Sequence, residues 1–574
     1  MKKRISAAFI RKGIVAILLM ALLMSGCGVR ELLEEYESAE IVEEIKTITQ
    51  QIAAQTEEAA PQTKRENGYI STQNLEAAYY DETGTLLGTL ARGTQVEYEI
   101  TSDGRKMLLL DGMAGYLSEE DRIVSNLADC VPAHTLYVRT AVNLRDAQGN
   151  LCAQLLDKGQ RVDVVGFDYL QEDGSAHMYR VVWEGEEGYI MPWYLANNEE
   201  EALSNYDDGR YEIHAGRENR YGGGGAADLD YFPREKGAIE GNEMPEECRT
   251  LYIAAWCVGN VDAYIKIANN SGINAFVVDI VDGSSVGYAA DVMKHYSPSA
   301  AANANNTVEQ YQLAIQKLKD AGYYVIGRIT TFNDSYFVQD HPECAITDTG
   351  GVPLKLSGAY WPTPYNRTAW QYKVDLAVEA VELMGFHEIQ FDYIRFPDNT
   401  WNYEKDGTID YHNDYNETKA QAIQRFLMYA TDILHDCGVY VSADVFGECA
   451  YNYVTAYGQY WPAISNVADA ISGMPYPDHF AASGDWLPWE HPYDTVYSWG
   501  ECAVSRQAET ATPAAVRTWI QAYNAIREPY NTYGPDEVYA QIRALRDSGC
   551  TGGYMTWHSG ASVEKYTALM PAFE

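Results

Sequence analysis

Basic residues are scarce in this chain: Lys and Arg number 42 against 82 Asp and Glu, a formal charge of -40 over 574 residues. Nucleic-acid binding draws most of its affinity from Lys and Arg on phosphates, so this balance excludes nucleic acid as a partner. Only 11 histidines are present, and few fall where a catalytic metal would need them. The ten cysteines form no CxxC pair and no Cys/His cluster at zinc spacing, so no structural metal is expected, and nothing calls for a cofactor. The apolar run at residues 14–24 is shorter than the roughly 20 residues a membrane-spanning helix needs.

With 46% hydrophobic and 22% charged residues, the composition is that of a globular protein long enough for more than one domain. Lys2, Lys3, Arg4, Arg11 and Lys12 precede the short apolar run, the charged and apolar regions of an export signal. The run ends in "LLMSGCG", which resembles the bacterial lipoprotein signal. That resemblance implies removal of residues 1–26, lipidation of Cys27, and a chain held by several acyl groups on the outer face of the cell membrane. Nine cysteines then remain, so at least one thiol has no partner.

Residues 27–66 are rich in Glu, Thr and Gln with helical apolar spacing, a polar spacer. Two segments that follow, 67–125 and 130–196, repeat one another: Gly84 matches Gly149, Gly93 matches Gly159, and Gly115-Tyr116 matches Gly188-Tyr189. Short alternating strands broken by Gly turns predict a small all-β barrel built twice. "VNLRDAQGN" and "GYI" are similar to the bacterial SH3-like domain, which implies a spacer or a cell-wall-binding module. Residues 197–246 turn acidic and Gly-rich, with "YGGGGAADLD"; four consecutive glycines predict a flexible linker.

From 247 to 574 apolar strand-like runs alternate with amphipathic helical segments. The runs are "TLYIAAW", "NAFVVDI", "YYVIGRIT", "EIQFDYIRF", "VYVSADVF", "ADAISGMPY", "TWIQAY" and "GGYMTWH". Eight such units predict an α/β (β/α)8 barrel, whose active site would lie at the C-terminal strand ends. Asp279, Arg328, Asp392, Arg395 and Asp444 fall at those ends. Residues two apart share a face, which adds Gln390 to Asp392 and Gln521 to Trp519.

An ionised carboxylate inside a strand is costly unless paired or used, so Asp392 in "EIQFDYIRFP" needs an explanation. Two acids in one mouth, with Trp256, Tyr393, Tyr476, Trp486, Trp489 and Trp557 at or just after strand ends, suit glycoside hydrolysis. Asp392 is the candidate nucleophile or charge-stabilising carboxylate. Asp444 is the candidate general acid/base, with Glu448 or Asp279 as substitutes. Arg328 and Arg395 are placed to keep Asp392 charged. Trp256, Asp279, Gln390, Tyr476, Gln521, Trp557 and His558 complete the expected sugar contacts. The loop acids Asp406, Asp410 and Asp414 are candidate calcium ligands, though an acidic solvated loop is the commoner meaning of such a run.

The motifs "VVDIVDGSSVGY", "YVIGRITTFND", "EIQFDYIRFP", "VSADVFG" and "WIQAY" resemble a glycoside hydrolase family of exported bacterial proteins first catalogued as a domain of unknown function. The resemblance spans about Arg249 to the C-terminus and implies a TIM barrel acting on a polysaccharide or peptidoglycan-type glycan. The chain reads Asp279-Ile280-Val281-Asp282-Gly283 where that family usually carries a lysine. A surface lipoprotein that binds glycan or cell wall without cleaving it is the alternative.

Overall fold

The computed structural model describes residues 65–573, apart from 111–112, 132–133, 207–208 and 218–221. The export signal, Cys27 and all but the last two residues of the expected spacer lie outside the described residues. The chain forms two compact units, one ending at Cys130 and including Glu172–Gly174, the other made of Val131–Gln171 and everything from Ser175 on.

In the first unit seven strands, β1 (Arg65–Ser71), β2 (Glu76–Tyr80), β3 (Leu86–Ala91), β4 (Gln95–Ile100), β5 (Lys106–Leu110), β6 (Met113–Leu117) and β7 (Arg122–Val124), pair in the order β3-β2-β6-β5-β4-β1-β7. Alternation sends Val96 and Tyr98 of β4 inward, where they meet Ile70, Leu108 and Ile123, as a half-buried antiparallel sheet requires.

The second unit opens with β8 (Thr135–Val138), β9 (Val142–Arg145), β10 (Leu151–Leu156), β11 (Arg161–Phe167), β12 (Tyr179–Trp183), β13 (Glu186–Ile190) and β14 (Leu195–Ala196), in the order β10-β9-β13-β12-β11-β8-β14. This is the first order shifted by seven, so the repeat legible in the sequence is a repeat of topology. Even the hairpin chemistry recurs. Asp81 Oδ1 accepts the N–H groups of Thr83 and Thr85 at 2.8 and 2.9 Å, and Asp146 Oδ1 accepts those of Gln148 and Asn150 at 2.8 and 2.9 Å. Gly84 and Gly149 close the two turns at φ of 85° and 87°, where a side chain would be strained.

The same unit continues into a parallel barrel. Its staves are Cys248–Ile253, Ala275–Asp282, Tyr324–Thr330, Glu388–Asp392, Tyr440–Phe446, Ala470–Met474, a broken seventh, and Gly553–Trp557. The seventh comprises Ala515–Val516, paired with the sixth, and Thr518–Gln521, paired with the eighth. Only Arg517 separates the two pieces, so the nine-strand path starts and ends at neighbouring residues and the barrel nearly closes. Arg517 itself reaches Glu388 at 2.7 Å, both fully buried. The outer helices carry their own start signals: Thr307 and Thr418 each form a reciprocal cap with the Gln three residues on, satisfying N–H groups a helix start leaves open.

The acidic, Gly-rich stretch is not a free coil. Ala226, Leu229 and Tyr231 are buried against Ala420, Val454, Tyr460 and Ala463, and Asp230 pairs with Arg139 at 3.3 Å. The glycines serve close approach rather than flexibility. A Cβ on Gly223 would lie 1.9 Å from the Thr455 carbonyl oxygen, and one on Gly224, at φ of 100°, 2.4 Å from the Thr418 side chain.

Candidate active site

Arg328, near the end of the third stave, is the centre of the barrel mouth. Its Nη1 donates to Asp279 Oδ1 at 2.7 Å and lies 3.3 Å from Asp282 Oδ1. Its Nη2 donates to Asp392 Oδ2, and its Nε lies 3.6 Å from Asp444 Oδ2. The Tyr252 and Trp557 rings sit 5.8 and 5.3 Å from the guanidinium carbon, within cation–π range. Tyr252 also donates its hydroxyl to Asp279 Oδ2, and the Trp519 indole N–H donates to Asp444 Oδ1 at 2.8 Å.

One positive charge cannot balance four carboxylates, and burial decides which keep their protons. Side-chain exposure is 0% for Asp279 and Asp444, 8% for Asp392 and 27% for Asp282. Burial pushes Asp279 up to about 7 against the pull of Arg328. Burial, then the Asp392 charge, raises Asp444 well above the carboxylate range, because desolvation disfavours the charged form. The two fully sealed acids, Asp279 and Asp444, are thus both shifted toward the protonated form behind the less buried Asp392 and Asp282.

Local backbone explains who faces whom. Between Asp279 and Val281 the second stave shifts register against Arg328 and Ile329. This bulge re-aims Asp282, which accepts from Thr330 Oγ1 at 3.3 Å. Directly after Asp392, Tyr393 takes a φ of 51° and donates its N–H to Asp392 Oδ1 at 2.6 Å. A left-handed tyrosine is strained, and such strain clusters at functional sites.

Several expected contacts are corrected by position. Arg395 does not serve Asp392: its Nη1 reaches Asp398 at 3.3 Å and the Phe396 carbonyl at 3.0 Å, beneath the Phe446 ring at 4.2 Å. Gln390 is fully buried in the barrel interior, with Nε2 donating to Ser472 Oγ and Met555 sulfur at 3.4 Å, so it meets no sugar. Gln521 staples loops, accepting from the Asp478 N–H at 3.3 Å and donating to the Tyr523 carbonyl at 3.2 Å. Asp444 is also closed to ligand by burial and by Trp519.

Tyr476 is buried, and burial, then the neighbouring Tyr523, raises its phenol. Trp557 ends the eighth stave and half-buried His558 follows it, where burial lowers the imidazole. Glu448 accepts the hydroxyls of Tyr453 and Tyr457 at 2.9 Å each. Asp282 and Tyr252 are the cluster members to which sequence reasoning gives no role, and Trp519 is named only as sharing the face of Gln521. The quoted strands and motifs contain all three, but only a bulge or a cross-barrel contact brings them into the site.

Around the mouth the exposed aromatics of the barrel are Trp256, Tyr360, Trp401, Tyr403, Tyr451, Trp486 and Tyr530. Every one lies on a segment between the C-terminal end of a stave and the next outer helix or within that loop, while exposed Leu313, Leu383 and Val504 lie on outer helices. Among the described residues no group of His, Cys, Asp and Glu is arranged to hold a metal ion.

The profile of a family described as "Putative glycosyl hydrolase domain" matches residues 250–563. The chain belongs to this family. The matched segment contains the whole Arg328 cluster. The chain is similar to a hypothetical protein from Ruminiclostridium thermocellum ATCC 27405, with 34% identity, 34% of this chain and 97% of that chain covered, and a TM-score of 0.29. It is also similar to the PgaB (BpsB) glycoside hydrolase domain from Bordetella bronchiseptica, at 15% identity, 56% and 99% coverage, and a TM-score of 0.40. The chitobiase of Flavobacterium johnsoniae aligns at 12% identity, 57% and 48% coverage, and a TM-score of 0.37. No curated protein matches the chain.

Proposed function

We propose that the barrel hydrolyses glycosidic bonds of a cell-wall or extracellular polysaccharide. The observation that carries this reading is the gathering of Asp392 and Asp282, the two least buried acids of the cluster at 8% and 27% side-chain exposure, on one guanidinium at the strand ends. The exposed rings around the mouth support it, since flat apolar faces with polar edges suit sugars. Asp392 is the carboxylate that attacks or stabilises the sugar cation. Asp282 is the proton donor and acceptor, and takes over the role first given to Asp444, whose side chain is sealed. Asp279 and Asp444 keep protons behind the pair and limit its charge repulsion.

Lipidation of Cys27 would place the barrel at the outer membrane face within reach of such glycans, with the two repeated β-sheets as SH3-like spacers. These parts of the proposal rest on the sequence features.

The test is hydrolysis of purified cell-wall glycan and of exopolysaccharide, read by new reducing ends. Asp392→Asn should abolish turnover while the thermal midpoint stays within a few degrees. Asp282→Asn should remove the proton-transfer limb of the pH profile, whereas Asp444→Asn should leave that limb in place. Unchanged turnover in Asp392→Asn removes the residue from the mechanism. Glycan binding without new reducing ends in the unaltered protein converts the reading into a binding module.

A further inference from the structure

Asp392 is held at both of its oxygens. Arg328 Nη2 donates to Oδ2, and the Tyr393 N–H donates to Oδ1 at 2.6 Å. In a regular strand that N–H would point to a neighbouring stave; the left-handed turn at Tyr393, with φ of 51°, aims it at the carboxylate instead. A bulky residue stays in that region only where its surroundings hold it. We infer that Arg395 is what holds it, so that this arginine positions Asp392 through Tyr393 without touching the acid. The catalytic consequence rests on the hydrolytic reading above; the brace itself does not.

The brace is a contact between ring and cation. The Arg395 guanidinium carbon lies 5.0 Å from the centre of the Tyr393 ring, within cation–π range. Fully buried Trp361 closes the triangle, 5.8 Å from the Tyr393 ring and 5.1 Å from the guanidinium. Turning Tyr393 to an ordinary strand φ would swing its ring out of both contacts.

Arg395 is immobile enough to serve as the anchor. It is 5% exposed, with the Phe446 and Tyr457 rings 4.2 and 5.8 Å from its guanidinium. Nη1 donates to the Phe396 carbonyl at 3.0 Å and to Asp398 Oδ1 at 3.3 Å. A planar guanidinium can lie against several rings while donating from its edge, which an ammonium cannot do. The competing anchor is the backbone alone, since the Asp392 and Tyr393 carbonyls accept the Thr331 and Phe332 N–H groups at 2.8 and 3.2 Å.

The experiment compares the unaltered full-length chain with Arg395→Met, Tyr393→Gly and the double variant. Two readouts are taken: hydrogen exchange of the residue 393 amide by mass spectrometry, and hydrolysis of purified cell-wall glycan. Arg395→Met should speed that exchange at least about tenfold as the turn opens. It should lower kcat about ten- to a hundredfold, the cost of a misaimed reacting group, with KM changed by less than about twofold. Glycine adopts the left-handed turn without a ring to brace. Adding Arg395→Met to Tyr393→Gly should therefore change exchange and kcat by no more than about twofold. Arg395→Lys, which keeps the charge but not the planar face, should fall between the unaltered protein and Arg395→Met, and it carries the test where the methionine variant does not fold. Unchanged exchange in Arg395→Met and Arg395→Lys would assign the turn to the backbone bonds and overturn the proposal, whether or not the barrel cleaves glycan. Fully additive effects of the two substitutions would overturn it too, leaving Arg395 a packing residue. Exchange that behaves as expected in a protein that cleaves no glycan would support the brace and overturn the hydrolytic reading alone.

Discussion

Asp279 and Asp282 both face Arg328, at 2.7 and 3.3 Å, although residues three apart on a regular strand point to opposite faces. The bulge between Asp279 and Val281 produces this. With Asp392 and Asp444 on the same guanidinium, Arg328 is the one cation among the described residues that pairs with these four neighbouring acids.

Removing it should therefore be costly. Arg328→Met leaves a buried acid cluster without its cation, and breaking buried pairs in this way costs about 3–5 kcal/mol. Urea unfolding at pH 7 should show that loss. A loss below about 1 kcal/mol at pH 7 would mean that the acids are solvated rather than held by Arg328.

The acid shift at Asp279 makes its own prediction. Its folded value is about 7 against an ordinary 3.8, so between those limits the folded state holds a proton the unfolded chain has released. The group's contribution to stability must then fall as pH rises from about 4 to about 7, by no more than about 1.4 kcal/mol per pH unit, and be level above that. Asp279→Asn cannot ionise. The stability of the unaltered protein minus that of the variant should decline across this window, and a flat difference would contradict the buried placement.

Much of this architecture is legible in the sequence, and the illegible parts share a cause. The eight apolar runs read as staves because burial on both faces demands continuous hydrophobicity, and the twin sheets read as a repeat because Asp81 and Asp146 build the same turn. Asp392 stands out because an acid inside "EIQFDYIRFP" breaks the apolar rule. The role of Asp282 is hidden because strict alternation places it on the wrong face, and only backbone irregularity corrects that. Arg395 sits two residues beyond a left-handed Tyr393, past the point where strand periodicity aims side chains. The sealing of Asp444 depends on Trp519 from two staves away, a contact no local pattern announces.

His177 ties the second β-sheet to the helix Lys419–Asp436 through Asp168 and Asp436. Its hydrogen bonds to Asp168, then to Asp436, raise its imidazole from 6.5 to about 9. Between those values the folded state keeps a proton the unfolded chain has lost. The stabilisation is complete below about 6.5 and disappears as pH rises through about 9. His177→Gln should thus lower the thermal midpoint at pH 6 and match the unaltered protein at pH 10. A midpoint difference that persists at pH 10 would assign the loss to packing against Tyr169 instead.

The four-glycine stretch yields the sharpest contrast, because positions two residues apart with identical chemistry have opposite surroundings. A Cβ on Gly223 would press to 1.9 Å on a backbone oxygen, whereas one on Gly225 meets nothing within 4 Å. Backbone cannot rotate aside as a flexible side chain can, so Gly223→Ala should destabilise by about 1–3 kcal/mol, the usual cost of overpacking. Gly225→Ala should stay within about 0.5 kcal/mol, as open surface changes do. A flexible tether would treat both substitutions alike. A seated strap must distinguish them, because Gly223 lies against the Thr455 backbone and its carbonyl accepts the Ala420 N–H at 3.1 Å.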